Sequence, residues 1–155
     1  MALEYPDIRR PLHHESHMQN LIGELGPFET MRDALVFCAA LGFSKGRREE
    51  FAPHANSIAW GTMAGNQYFE QILLLLTAAV SKDAPEQLGD DAIRDRVKTF
   101  EEFACGGLSI VAEEMSRGNL PEEAVLNIIS ARVANLDSGA FSPFGGEAQP
   151  FNPFA

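Results

Sequence analysis

Residues 90–117 read DDAIRDRVKTFEEFACGGLSIVAEEMSR, and their period decides the fold class. Ile93, Val97, Phe100, Phe103 with Ala104, Leu108, Val111 and Met115 recur every three or four positions. That is a nearly unbroken helical period. It predicts one long helix from about Asp90 to Arg117, stopped by Gly118-Asn119. Two consecutive glycines, Gly106 and Gly107, lie inside it. Each costs about 1 kcal/mol relative to Ala in a helix interior, so something must offset the pair. Close approach by another backbone would do so, as would a break into two helices. Phe100, Phe103 and Leu108 stay in phase across the pair, so a continuous or slightly bent helix is expected.

Working outward, residues 66–81 are apolar nearly all round (Tyr68, Phe69, Ile72–Leu76, Ala78–Val80), which predicts the most buried helix. Asp83-Ala84-Pro85-Glu86 starts a new element. Pro121-Glu122-Glu123 opens the last helix, because Pro fits a first turn and carboxylates there favour the dipole. Its inward positions are expected to be Ala124, Val125, Ile128, Ile129 and Val133. Upstream, Thr30 can cap a helix, with Asp33 in the capping-box position and Gly42 as the stop. A shorter helix is expected from Glu15 to Leu25, ended by Gly26-Pro27. Ser57-Ile58-Ala59-Trp60 reads as a short strand or an irregular segment. The expected class is mostly all-α: a compact bundle of about five helices, with at most one short strand near 57–60. Three regions follow: an extended arm over 1–14, broken by Pro6 and Pro11; a helical domain over 15–137; and a flexible Phe/Pro/Gly tail over 138–155.

Composition narrows the function classes. The chain has 155 residues with 45% hydrophobic content, enough for one domain with a real core. Its formal net charge of -10 argues against a protein that coats duplex DNA, since phosphate neutralisation needs a basic face. A local basic contact with DNA stays open. The longest apolar run, Ile72–Val80, is far short of the roughly 20 residues that span a bilayer. With no apolar targeting segment at the N-terminus, a cytoplasmic location is expected. Cys38 and Cys105 both lie in apolar helical stretches and read as buried thiols, with a disulfide as the minor alternative. Neither has zinc-type C-x-x-C spacing.

The positive charge is concentrated. Lys45, Gly46, Arg47 and Arg48 form a basic turn in which Gly46 allows tight geometry and two Arg can clamp an anion or a partner. The bland alternative is a helix end that offsets the dipole. Glu101 or Glu102 is a candidate partner for an Arg of that turn. Asp90-Asp91 and Glu113-Glu114 read as solvated helix faces. His13 and His17 would share a helix face, a spacing that can chelate a metal, with Glu15 and His54 as the remaining donors. No third ligand is fixed, so neither metal nor cofactor is expected. No Ser/His/Asp or Cys/His nucleophile can be argued, and no catalytic residue is assigned. The tail carries a duplicated F-x-P-F, with Phe141, Phe144, Phe151 and Phe154 as docking candidates.

Two segments carry a family resemblance. Phe28-Glu29-Thr30-Met31-Arg32-Asp33 is followed by Phe37-Cys38-Ala39-Ala40-Leu41-Gly42-Phe43 and Gly46-Arg47-Arg48; later comes Phe100–Leu108. Together they resemble a small accessory family encoded beside bacterial DNA phosphorothioation (Dnd-type) systems, system-associated protein four. The likeness covers about residues 28–115. Cys105 stands where that pattern has a polar residue such as Asn. The resemblance implies a cytoplasmic bacterial protein linked to DNA modification or anti-phage defence, with no catalytic residue to carry over. The expected role is a non-enzymatic accessory or adaptor that binds a larger protein of such a complex. The alternatives are a DNA-contacting regulator using the 45–48 turn and, last, a metal-dependent enzyme using the histidines. A homo-oligomer is compatible with all three.

Overall fold

The periodic stretch is one continuous helix over Ile93–Ser116, and the rest of the chain packs around it. The computed structural model describes residues 4–137. Among these, the α-helices are α1 (Glu15–Leu21), α2 (Met31–Ser44), α3 (Trp60–Met63), α4 (Phe69–Val80), α5 (Ile93–Ser116) and α6 (Pro121–Asp137). Short 3-10 turns precede α1 (Leu12–His14) and α5 (Pro85–Leu88, Asp90–Ala92). The described residues contain isolated β-bridges but no sheet. Ile58 pairs with Ile8 and Pro11 with His54, which ties the N-terminal segment to the 54–58 loop. Of the two readings open for 57–60, a short strand or an irregular segment, the second holds, with Ile58 in a single bridge. Trp60 already starts α3.

The core lies between α2 and α5. Leu35, Cys38 and Ala39 from α2 meet Phe100, Ala104 and Leu108 from α5, all essentially without solvent contact. Phe69 of α4 adds an edge-to-face contact with Phe100, ring centroids 5.2 Å apart. The glycine pair explains how the two long helices come so close. A methyl group built on Gly107 would overlap the Cys38 carbonyl and lie 2.6 Å from its carbon. One on Gly106 would overlap the Arg47 carbonyl, 2.7 Å from its carbon. Gly42 sits opposite, where a methyl would overlap the Phe103 carbonyl. Glycine permits this backbone contact, and the packing gained offsets the propensity lost.

Several boundaries differ from the expected ones. Gly42 does not stop α2, because it is needed inside the helix for contact with α5. The stop is Gly46, at φ +65°. Arg47 N–H donates to Gly42 O and Gly46 N–H to Phe43 O, the two bonds of a Schellman cap. Helix α1 ends at Leu21, where the chain turns extended and folds back through Gly23 to bond Phe28. The apolar stretch at 69–80 is not the most buried helix. Leu73 and Leu76 face the core, whereas Leu74, Leu75 and Val80 are exposed. That place belongs to α5, buried almost continuously from Val97 to Leu108 apart from Lys98. On α6, Ala124, Val125 and Ile128 point inward, but Ile129 and Val133 are exposed. A helix at the rim has one covered face, whatever its composition.

Candidate functional site

The glycine pair also positions chemistry. With no side chain at Gly106, the backbone at Arg47 rests directly on α5, and Glu49 N–H donates to Glu102 O at 3.0 Å. The basic turn is thereby clamped over the middle of α5, and its side chains meet the acids of that helix. Arg48 reaches Glu102 at 2.9 Å and stands over the Phe103 ring at 5.5 Å. Arg47 grips Glu113 through both terminal nitrogens at 2.8 and 2.6 Å, and its Nε donates to Glu49 at 2.7 Å. Glu113 is thus a paired carboxylate, not a merely solvated one. These bonds hold the Glu113 carboxyl below its ordinary range and the Arg47 guanidinium above its own. Glu101 is buried and takes a different Arg: Arg9 donates to it from the backbone N–H and from two side-chain nitrogens. Lys45 and Gly46 are exposed, and Gly106 and Gly107 are covered. The tail phenylalanines lie outside the described residues.

Beyond Glu49 the network continues inward. Ser109 Oγ donates to Glu49 Oε1 at 2.7 Å, so it accepts from His14 Nε2 at 2.9 Å. That places the His14 proton on Nε2 and leaves the Nδ1 lone pair facing His17 Nδ1, 3.0 Å away. Burial first, and then the neighbouring His13 and His17, lower the His14 pKa from 6.5 to about 4. The ring is therefore neutral at pH 7. Ligand atoms of His13, His14 and Cys105 all lie within 4.8 Å of one another. Cys105 is fully buried, and burial followed by the charge of Glu49 pushes its thiol up to about 11.

Sequence reasoning placed the histidines at the edge of the fold and paired His13 with His17. The 3-10 turn over Leu12–His14 changes the phase, so His14 becomes the buried ring and meets His17 three residues on. The other expected donors are engaged elsewhere. Glu15 pairs with Arg10, and His54 bonds the Ala55 carbonyl. Glu49, Ser109 and Cys105 were missed as site residues. The glycine pair was the available signal, because close approach at 106–107 implies a partner for Ser109 one turn away.

The arrangement does not assemble a nucleophile. In a serine triad the hydroxyl gives its proton to the imidazole. Here the Ser109 proton is taken by Glu49, and Ser109 sits within a buried helix face. Fold and site together define a small all-α domain with an internal Arg–carboxylate–Ser–His network. The chain belongs to the family described as DNA sulphur modification system-associated protein 4, whose model matches residues 7–141. No curated protein and no solved structure matches it. Among the described residues, no helix is long and apolar enough to cross a membrane.

Proposed function

We propose that this chain is a non-enzymatic accessory protein that docks onto a larger protein of the DNA sulphur modification system through the outer face of α6. One observation carries the reading. Leu126, Ile129, Val133 and Leu136 are each 43–55% exposed, and they recur at spacings of three, four and three residues. That is the stripe an amphipathic helix lays into a groove, on a helix whose adjoining face (Ala124, Val125, Ile128) is already buried. The partner chemistry follows from charge. With a net charge of -10 and Glu122-Glu123 opening α6, the fitting partner has an apolar groove with a basic rim.

The basic turn is the neighbouring part of the same surface. Arg132 of α6 donates to the Ser44 carbonyl, so the residue before exposed Lys45 is bonded to α6. Arg47 with Glu49 and Glu113, and Arg48 with Glu102, hold that turn in shape, whereas Glu101 holds the N-terminal segment through Arg9. The duplicated F-x-P-F follows α6 directly, and we assign Phe141, Phe144, Phe151 and Phe154 to the same partner. The setting is bacterial DNA modification, with defence against phage and a cytoplasmic location as parts of the proposal.

The test is co-expression with each protein encoded in the same sulphur-modification system, followed by size-exclusion chromatography. A stoichiometric complex is expected with one of them. Leu126→Glu with Val133→Glu should abolish it, and deletion of 138–155 should weaken it. No complex with any component, or one indifferent to these changes, overturns the proposal. Salt-sensitive DNA binding lost in Arg47→Ala and Arg48→Ala would support the DNA-contacting regulator instead.

A further inference from the structure

We propose that His13, His14 and Cys105, with His17 as the fourth donor, bind one thiophilic divalent ion of the zinc class and clip the N-terminal segment to α5. Three of the donors come from one contiguous N-terminal segment, the 3-10 turn running straight into α1, and the fourth comes from α5, far along the chain. One thiolate with imidazoles is a donor set that suits zinc and its neighbours, whereas oxygen-seeking ions prefer carboxylates. In a tetrahedral zinc site with Zn–N near 2.0–2.1 Å, two imidazole nitrogens stand about 3.3 Å apart. His14 Nδ1 and His17 Nδ1 are already 3.0 Å apart. The 4.8 Å limit within which the His13, His14 and Cys105 donors fall exceeds a tetrahedral edge by about 1 Å, within reach of small side-chain rotations.

The outer contacts fit the same purpose. Metal-bound imidazoles regularly donate their other N–H to an acceptor that fixes tautomer and orientation. His14 Nε2 does this through Ser109 to Glu49, and Glu49 is held by Arg47. The Nδ1 lone pair is thus already turned toward His17 Nδ1. His13 is exposed, which leaves a route by which an ion enters. On binding, the Cys105 S–H bond breaks, a sulfur–metal bond forms, and one proton passes to solvent. No oxidant or reductant is involved.

The experiment uses the full chain without a histidine tag, stripped with chelator and titrated with Co²⁺ alone and then Zn²⁺ alone. One equivalent of Co²⁺ should produce the visible band of a tetrahedral site together with thiolate-to-cobalt absorption in the near ultraviolet. Zn²⁺ should displace it and raise Tm. Cys105→Ala should remove the thiolate absorption, whereas Cys38→Ala should leave it intact. His13→Ala, at an exposed position, should weaken binding at least tenfold without unfolding the chain. Ser109→Ala should weaken it 10–100-fold. Absence of one-to-one binding, a spectrum without thiolate, or affinity unchanged in both His13→Ala and Cys105→Ala would overturn the proposal. The outcome is independent of whether α6 binds a partner.

Discussion

Replacing Gly107 with Ala sets local propensity directly against tertiary packing. In an isolated helix the change should stabilise by about 1 kcal/mol. In this fold the new methyl would overlap the Cys38 carbonyl and lie 2.6 Å from its carbon and 2.8 Å from its Cα. Carbon atoms rest at about 3.5–4.0 Å, so α2 must retreat by roughly 1 Å. Backbone cannot rotate aside as a side chain can. A gap of that size forfeits about a quarter to a half of each contact across it, and a buried Leu makes some 40–60 contacts of about 0.1–0.2 kcal/mol. For Leu35 and Leu41 alone the loss is about 2 kcal/mol or more, and overpacking strain adds about 1–3 kcal/mol. The net expectation is destabilisation by about 3 kcal/mol, a large part of a typical domain's total of about 5–15 kcal/mol. Urea unfolding followed by far-ultraviolet circular dichroism reads this as a lower midpoint. Gly61→Ala is the control, because nothing lies within 4 Å of its added methyl. It should be neutral or stabilising by up to about 1 kcal/mol. A Gly107→Ala protein as stable as the unaltered chain would refute the close crossing of α2 and α5.

Three further outcomes follow from the same geometry. Arg48→Ala should destabilise by about 1–3 kcal/mol, because it strands the buried Glu102 carboxylate, and Arg48→Lys should recover only part; equal unfolding midpoints for all three proteins would contradict the pairing. Glu113 is held below its ordinary pKa by Arg47, so its contribution is fully present above about pH 4.5 and fades as pH falls through the depressed value. A carbon-detected NMR titration should show the Glu113 midpoint rising toward 4.5 in Arg47→Gln, and an unmoved midpoint would sink the assignment. Burial pushes the Cys38 thiol up to about 12 and leaves it without solvent contact, so iodoacetamide at pH 8 should spare it in the native chain and label it in denaturant.

Residues with local consequences were legible in the sequence. The period of Ile93 to Met115 required a long helix, the Thr30 hydroxyl could be read as a cap, and Gly106-Gly107 announced a close neighbour. The Thr30 cap is seen as Asp33 N–H donating to Thr30 Oγ1 at 3.4 Å. A pairing of the basic turn with Glu101 or Glu102 was also legible, because opposite charges near one crossing have few alternatives. Glu102 takes Arg48. That Glu101 would instead take Arg9, 92 residues away, depended on where the N-terminal segment lies. Periodicity could not reveal that segment's path, because isolated bridges such as Ile8 to Ile58 carry no repeating pattern.

The sequence by itself determined that this chain is helical, that residues 90–117 make one long helix and that two glycines invite contact. These properties depend on backbone preference and on neighbours within a turn or two. Only the tertiary structure decided what the contact brings together. The 3-10 turn rotates His14 inward, the absent side chain at Gly106 lets Arg47 and Glu49 settle onto α5, and Ser109 joins them. A one-residue change of phase or about 1 Å of backbone separation would dissolve that cluster, and neither is encoded in residue type. The exposed stripe on α6 has the same origin. Val133 and Val125 are alike in chemistry, and only the position of α5 makes one core and the other surface.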